Sequence, residues 1–168
     1  MKGKIQFQEK QSFVGTWMWY LVIGISILSV GGTALSWFHS HNSEALVGLS
    51  IASISVVGVI TLFSTSRLEV IIDEHTLYYK YPPFICSEKQ ISREDIKEIY
   101  VRNYKPLFEY GGWGYRTSLR NGKALNISGD IGLQLVLKND KRLLIGTQKK
   151  EAMEQAVRRL KENWGING

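Results

Sequence analysis

Two histidines and an acidic residue form the first group in this chain that could do chemistry. His39 and His41, with Glu44, lie in one short polar segment and could in principle ligate a metal ion. A structural zinc site needs four ligands, so we expect these residues to be interfacial polar groups instead. The spacing predicts no metal site.

A glycine-rich segment and two isolated reactive side chains form the second group. Gly111–Gly114 reads GGWG, but no Lys-Ser/Thr pair follows it, and Thr117 stands where a dinucleotide fingerprint has its last glycine. His75 and the single cysteine, Cys86, have no sequence neighbour that would complete a nucleophile and base pair. We therefore expect no catalytic residue and no cofactor, and a protein that is not an enzyme.

Basic and aromatic side chains surround the glycine-rich segment. Residues 67–168 carry 18 Lys and Arg against 13 Asp and Glu. Such a surface could bind an acidic or aromatic peptide, or rest on anionic lipid headgroups, unless the aromatic residues lie in the core. No nucleic-acid-binding motif accompanies the charge, so no nucleic acid is expected. The basic residues in this region include Arg102, Lys105, Arg116, Arg120 and Lys123. The predicted contact surface consists of Tyr100, Arg102, Tyr110, Trp113, Tyr115 and Arg116.

Two uncharged segments occupy the first third of the chain. No charged residue occurs from Gln11 to Phe38 or from Ala45 to Ser66, and each stretch is long enough to cross a bilayer. A buried hairpin of a soluble protein would carry charges on its outer face, and a signal peptide has a shorter apolar run. The sequence predicts membrane helices at 13–38 and 45–66, joined by an external loop at 39–44.

The flanking charges predict the orientation of these helices. Lys2, Lys4 and Lys10 precede the first helix and Arg67 follows the second, whereas the loop has no Lys or Arg. The positive-inside rule then places both termini in the cytoplasm, in a multi-pass protein of the bacterial inner membrane. Interfacial anchors are predicted at Trp17, Trp19, Tyr20, Trp37 and Arg67. Small residues predicted to pack the helices together are Ser29, Gly32, Ser36, Gly48, Ala52 and Ser55.

Alternating polar and apolar residues after Arg67 predict a mainly β domain. We expect about seven antiparallel strands in a partly open barrel that one C-terminal helix caps, with residues 1–12 as a cytoplasmic tail. Asn121-Gly122 favours a hairpin with a type I′ turn. The helical face is predicted to contain Met153, Ala156, Val157, Leu160 and Trp164.

The strand order with its terminal helix, Gly111–Gly114 and the run Gly132–Gln148 resemble bacterial membrane proteins with a pleckstrin-homology-like (PH-like) domain. The resemblance covers nearly the whole chain and implies two helices before a cytoplasmic barrel, but no catalytic residues. Eukaryotic relatives that bind phosphoinositides use a basic motif on the first hairpin. Here Arg67–Tyr81 holds only two basic residues against three acidic ones, so inositol-lipid binding is not expected.

These observations favour a membrane-anchored interaction or scaffolding module whose partner is a protein. Two alternatives stay open at this stage. The protein could be an accessory subunit that contacts a membrane enzyme or transporter through its helices, or its barrel could dock on anionic lipid headgroups.

Overall fold

Strands precede and follow two long helices in the computed structural model, which describes residues 3–40 and 43–164. The helices are α1 (Trp17–Ser40), α2 (Ser43–Thr65), α3 (Pro106–Tyr110) and α4 (Lys150–Trp164). The strands are β1 (Phe7–Ser12), β2 (Arg67–Ile72), β3 (Thr76–Tyr81), β4 (Ile85–Ser92), β5 (Ile96–Asn103), β6 (Gly114–Ser118), β7 (Gly122–Asn126), β8 (Ile131–Leu137) and β9 (Arg142–Gly146). They form two units, a helical unit from Ser12 to Ser66 and a β unit from the rest of the chain.

The helical unit consists of α1 and α2, which are each long and apolar enough to cross a membrane. α1 begins at Trp17, four residues later than predicted, because Gly15 has a φ of +85° and Thr16 caps the helix. The Thr16 hydroxyl accepts a hydrogen bond from the backbone N–H of Trp19 at 3.4 Å. Among the predicted anchors, Trp17 and Tyr20 are exposed at this end of α1.

The two long helices pack against each other along part of the predicted small-residue stripe. A groove of about 270 Å³ between them is lined by Ser29, Ala52 and Ser55 together with aliphatic side chains. A Cβ atom placed on Gly32 or Gly48 would meet nothing within 4 Å, so these glycines do not mark a close helix contact. Ser36 is likewise exposed in the described structure.

The β unit contains two sheets rather than one closed barrel. The first sheet has the strand order β1-β2-β3-β4, and the second has the order β5-β8-β9-β7-β6. Nine strands therefore occur among the described residues, where the sequence predicts about seven. The pairing is also not wholly antiparallel, because β7 runs parallel to β9. The hairpin of β6 and β7 is inserted in the chain before β8 and joins the second sheet beside β9.

Strand β1 accounts for part of this difference, because it lies in the segment predicted as a tail. The Gln6 N–H donates to the Ile72 carbonyl at 2.8 Å, and the Lys10 ammonium lies 2.9 Å from the Glu69 carboxylate. These contacts run in opposite order along the two segments, so β1 is antiparallel to β2. Alternate residues of β1 are buried, but Glu9 is one of them, so hydrophobicity alone does not reveal the strand.

A buried carboxylate joins β1 to the segment before α4. Glu9 is only 4% exposed and accepts hydrogen bonds from the Thr147 hydroxyl at 2.6 Å and the Gln148 N–H at 2.9 Å. The Gln11 side-chain amide donates to the Gly146 carbonyl at 2.8 Å. These contacts connect the edge of the first sheet to the end of the second.

Helix α4 covers the core as the sequence predicts. All five residues of the predicted face are buried, namely Met153, Ala156, Val157, Leu160 and Trp164. The helix packs on β5 and β8 of the second sheet. The Trp164 indole N–H donates to the Glu74 carbonyl at 2.7 Å, which also connects the helix to the first sheet.

The sequence correctly predicts a hairpin at Asn121-Gly122, but the prediction of a type I′ turn there is wrong. Ser118 pairs with Gly122, so three residues form the loop of this hairpin. Gly122 has a φ of +78°, whereas Asn121 does not have a positive φ. A Cβ atom at Gly122 would lie 2.3 Å from the Arg142 carbonyl oxygen, so glycine is needed there for close approach to β9 as well as for the turn.

Replacing Glu9 tests the connection between β1 and the start of α4. Glu9→Gln leaves one carbonyl oxygen to serve two donors, so we expect a loss of about 1–3 kcal/mol in the free energy of unfolding. Glu98→Gln, at an exposed position of β5, is the matched control and should change it by less than about 0.5 kcal/mol. Denaturant unfolding of the full-length protein measures the free energy of unfolding of each variant. Equal effects of the two substitutions would contradict a structural role for Glu9.

Replacing Asp73 tests the pH dependence of stability. Burial opposes ionisation of Asp73, but N–H donation from His75, Gly3 and Thr76 outweighs it and holds the pKa below its ordinary value of 3.8. The ionised carboxylate therefore stabilises the fold above that value, and this contribution disappears as the pH falls through the lower folded-state pKa. Asp73→Asn should cost about 1 kcal/mol at pH 7. The difference from wild type should shrink below pH 3.8 in denaturant titrations, and a constant difference would refute this assignment.

Candidate functional site

The six residues predicted as a contact surface do not form one surface. Tyr110 is only 5% exposed and belongs to a core cluster with Tyr104, Ala124 and Leu144. Its hydroxyl donates to the Asn121 carbonyl at 3.3 Å. Tyr110 is therefore a core residue that holds α3 against the hairpin of β6 and β7, and its prediction as a contact residue is corrected.

Arg102 is largely occupied by a structural ion pair. Its guanidinium group contacts both carboxylate oxygens of Glu109, at 2.7 and 3.2 Å, and its Nε donates to the Gln134 side chain at 3.1 Å. The hydrogen bond from Arg102 lowers the pKa of Glu109, so the pair is ionised at neutral pH. Arg102 thus fastens α3 to the second sheet. Tyr100 lies two residues away and lines the same small polar pocket.

Trp113 and Arg116 are close together, whereas Tyr115 lies in a different contact. The Arg116 Nε donates to the Trp113 carbonyl at 2.9 Å, and the Trp113 indole donates to the Gly129 carbonyl at 2.9 Å. Tyr115 stacks on Phe84 with 5.8 Å between ring centroids. Tyr115 therefore marks a point where β6 approaches the turn before β4.

A basic cleft between the two sheets is the strongest candidate site. Its volume is about 630 Å³, which lies within the range of about 300–1,000 Å³ of ligand-binding clefts. Its apolar wall includes Tyr79, Ile91, Leu119, Leu137 and Leu143. Its basic lining residues are Arg120, Lys123, Lys141 and Arg142, of which Arg142 also lines the small polar pocket beside Arg102. We call this site the basic cleft.

The basic cleft is an opening of the hydrophobic core. Thr117, Lys123 and Leu143 are in register across β6, β7 and β9, so they share one face of the second sheet. Leu143 is 6% exposed. The next row on that face contains Leu125 and Ile145, which are fully buried. The cleft therefore lies where this core-facing row reaches solvent.

The basic cleft lies at one particular end of the sheets. Leu77 pairs with Ile72 on one side and Ile91 on the other, which places Ile91 at the end near the β2–β3 turn. The opposite end holds Arg67, whose N–H donates to the Pro82 carbonyl at 3.2 Å. The strand end at Arg67, from which the chain connects to α2, is thus remote from the cleft.

Positive charge in the basic cleft is poorly compensated. Asp140 is the acidic residue that lines it, and this carboxylate already pairs with Lys97 at 3.0 Å. Within residues 3–40 and 43–164, none of the four basic cleft residues forms an ion pair with a carboxylate. A ligand that combines negative charge with an apolar part would match both the rim and the wall of the cleft.

Sequence reasoning identified only part of this site. Arg120 and Lys123 were among the basic residues around the glycine-rich segment, but Lys141 and Arg142 were not. Both pairs lie in or just after hairpin turns, and those turns come to the same end of the sheet because β7 and β9 are parallel. A pair of parallel strands that joins two separate hairpins has no local sequence signature. The sequence alone therefore could not predict that these four residues lie together.

The other candidate groups do not assemble into a centre for chemistry within the described structure. No group of three His, Cys, Asp or Glu residues able to hold a metal ion occurs there, and His41 lies outside the described residues. Cys86 is exposed, and its thiol lies 3.2 Å from the Pro83 carbonyl oxygen. The arrangement in the basic cleft is suited to binding an anion. No protein-family model and no curated protein matches the chain.

Proposed function

We propose that this protein is a non-enzymatic, membrane-anchored interaction module whose β unit binds an acidic segment of a partner protein in the basic cleft. The observation that carries this proposal is the uncompensated positive charge around an apolar opening of the core. An acidic protein segment with an apolar side chain would pair with the rim and bury apolar surface against the wall.

The pairing of β1 with β2 supports a two-span anchor. These neighbouring strands come from the segments before α1 and after α2, so both segments lie on the same side of any bilayer that the helices cross. An even number of crossings satisfies this constraint. The basic residues flanking the helices then favour the cytoplasmic face of a bacterial inner membrane for both termini and for the β unit.

The apolar wall of the basic cleft favours a protein segment over lipid headgroups as the ligand. Headgroups supply negative charge but no apolar side chain to bury against Tyr79, Ile91 and Leu143. We further propose that the β unit is PH-like, which its two sheets and its C-terminal helix support.

An accessory-subunit role is the second candidate function. The open groove lined by Ser29, Ala52 and Ser55 could receive a helix from a membrane-embedded partner, since small side chains permit close packing. This function would place the partner contact in the lipid phase and leave the basic cleft without a role in complex formation.

Crosslinking in intact cells, followed by mass spectrometry, distinguishes these functions. Arg120→Glu/Lys123→Glu reverses charge in the basic cleft, and we expect it to abolish a crosslink to a partner that wild type forms. Lys149→Glu/Arg158→Glu makes the same change in net charge at exposed sites on and just before α4, and it should leave the crosslink intact.

A third variant tests the helix groove in the same experiment. Ala52→Leu fills the groove between α1 and α2 without adding charge. Loss of the crosslink in this variant, with retention in the cleft variant, would reject the proposed function in favour of the accessory subunit. Equal crosslinking in all four proteins would reject the cleft as the contact site.

A further inference from the structure

We infer that the ligand of the basic cleft is an extended acidic segment that adds to the edge of β6 as a further β-strand, in the seam between β6 and β4. This inference rests on the proposed function and specifies how the partner is held. It follows from the two open sheet edges, the shape of the seam between them and the distribution of charge along it.

Both sheets present an unpaired strand edge at this seam. β4 is the last strand of the first sheet and β6 is the last strand of the second, and the outer side of neither pairs with another strand of the described structure. β4 is also exposed over residues 86–90. Unpaired main-chain N–H and C=O groups on such edges are a ready template for an added strand.

The seam is closed at one end and open at the other. Phe84, just before β4, stacks on Tyr115 of β6 and brings the two edges together. Further along, Ile91 of β4 and Thr117 of β6 both line the basic cleft. An extended segment that enters from the open end can therefore pair with β6 and stop at the stacked rings.

Side-chain alternation places every second residue of such a segment against the basic cleft. Successive residues of a strand point to opposite faces, so every second residue would face the apolar wall formed by Tyr79, Ile91 and Leu143. Lys123 lies on that same face, because it is in register with Leu143, so the residues that face the wall would also meet the basic rim. Lys89 adds to the positive charge, because it pairs with Tyr79 and so lies on the same face of the first sheet. Acidic residues are the complement of this rim.

The same charge disfavours a second copy of this chain as the occupant. Two copies that met edge to edge would place both sets of the basic residues Arg120, Lys123 and Lys89 in one interface. Lysine and arginine on sheet edges oppose this kind of self-association. A partner with acidic residues avoids the repulsion, so the charge selects an acidic segment over another copy of the protein.

Selection from a displayed library of random octapeptides tests this inference. The bait is the full-length protein in nanodiscs of phosphatidylcholine, a lipid without net charge. We expect enriched peptides that contain both acidic and apolar residues. Arg120→Glu/Lys123→Glu should weaken their binding at least about tenfold, and Lys149→Glu/Arg158→Glu should not change it.

Two further measurements separate strand addition from other binding modes. Leu119→Ser alters a fully exposed cleft residue, so it should weaken binding without unfolding the protein. Synthetic versions of an enriched peptide, N-methylated at alternate amides, test main-chain pairing directly. Methylation of one alternate set should abolish binding and methylation of the other should preserve it, because only alternate N–H groups face the sheet edge.

The possible outcomes distinguish this inference from the proposed function. Acidic peptides that bind equally well with either methylation pattern would overturn strand addition while leaving the cleft as a partner site. Enrichment without acidic residues, or binding that is unchanged in the cleft variant, would overturn the inference. The third outcome is charge-dependent binding of the protein to phosphatidylglycerol vesicles, with displacement of the peptides by the vesicles. This result would overturn both the inference and the proposed function in favour of binding to a lipid surface.

Discussion

The buried carboxylate of Glu9 is the contact on which the arrangement of the β unit depends. It accepts hydrogen bonds from the Thr147 hydroxyl and the Gln148 N–H, and it thereby fixes the edge of the first sheet to the entrance of α4. A carboxyl group that is 4% exposed is costly to bury unless its oxygens accept hydrogen bonds, so these donors must stay in place. This requirement links the first strand of the chain to its last helix across more than 130 residues.

This connection also constrains how the two long apolar helices are built into the fold. Because β1 and β2 pair within one sheet, the two apolar helices form an insertion between neighbouring strands rather than an anchor added to the end of a finished domain. The β unit cannot be completed until the chain has passed through both helices and returned. The fold therefore couples assembly of the first sheet to formation of the helical hairpin.

The parts of this structure that sequence could predict are those with a strong local pattern. The five apolar residues on one face of α4 and the two uncharged helices were predictable because burial in a core or in lipid imposes a period or a length. β1 was missed because Glu9 occupies one of its buried positions. Tyr110 was wrongly predicted as a contact residue, because an aromatic residue beside basic ones is typical of a binding surface. In the structure, Tyr110 packs in the core with Tyr104. The basic cleft depends on the parallel pairing of β7 with β9, and that contact has no local signal.

An incompletely closed pair of sheets needs protection along its open seam, and the basic residues supply it. Where Phe84 stacks on Tyr115, aromatic contact closes the gap, but from Thr117 onward the edge of β6 stays open beside an apolar wall. An open edge next to apolar surface is a site of aggregation unless charge prevents like surfaces from meeting. Arg120, Lys123, Lys141 and Arg142 provide this repulsion toward other copies of the chain. In the proposed function the same four charges attract the acidic segment, so one set of residues would both oppose self-association and select the partner.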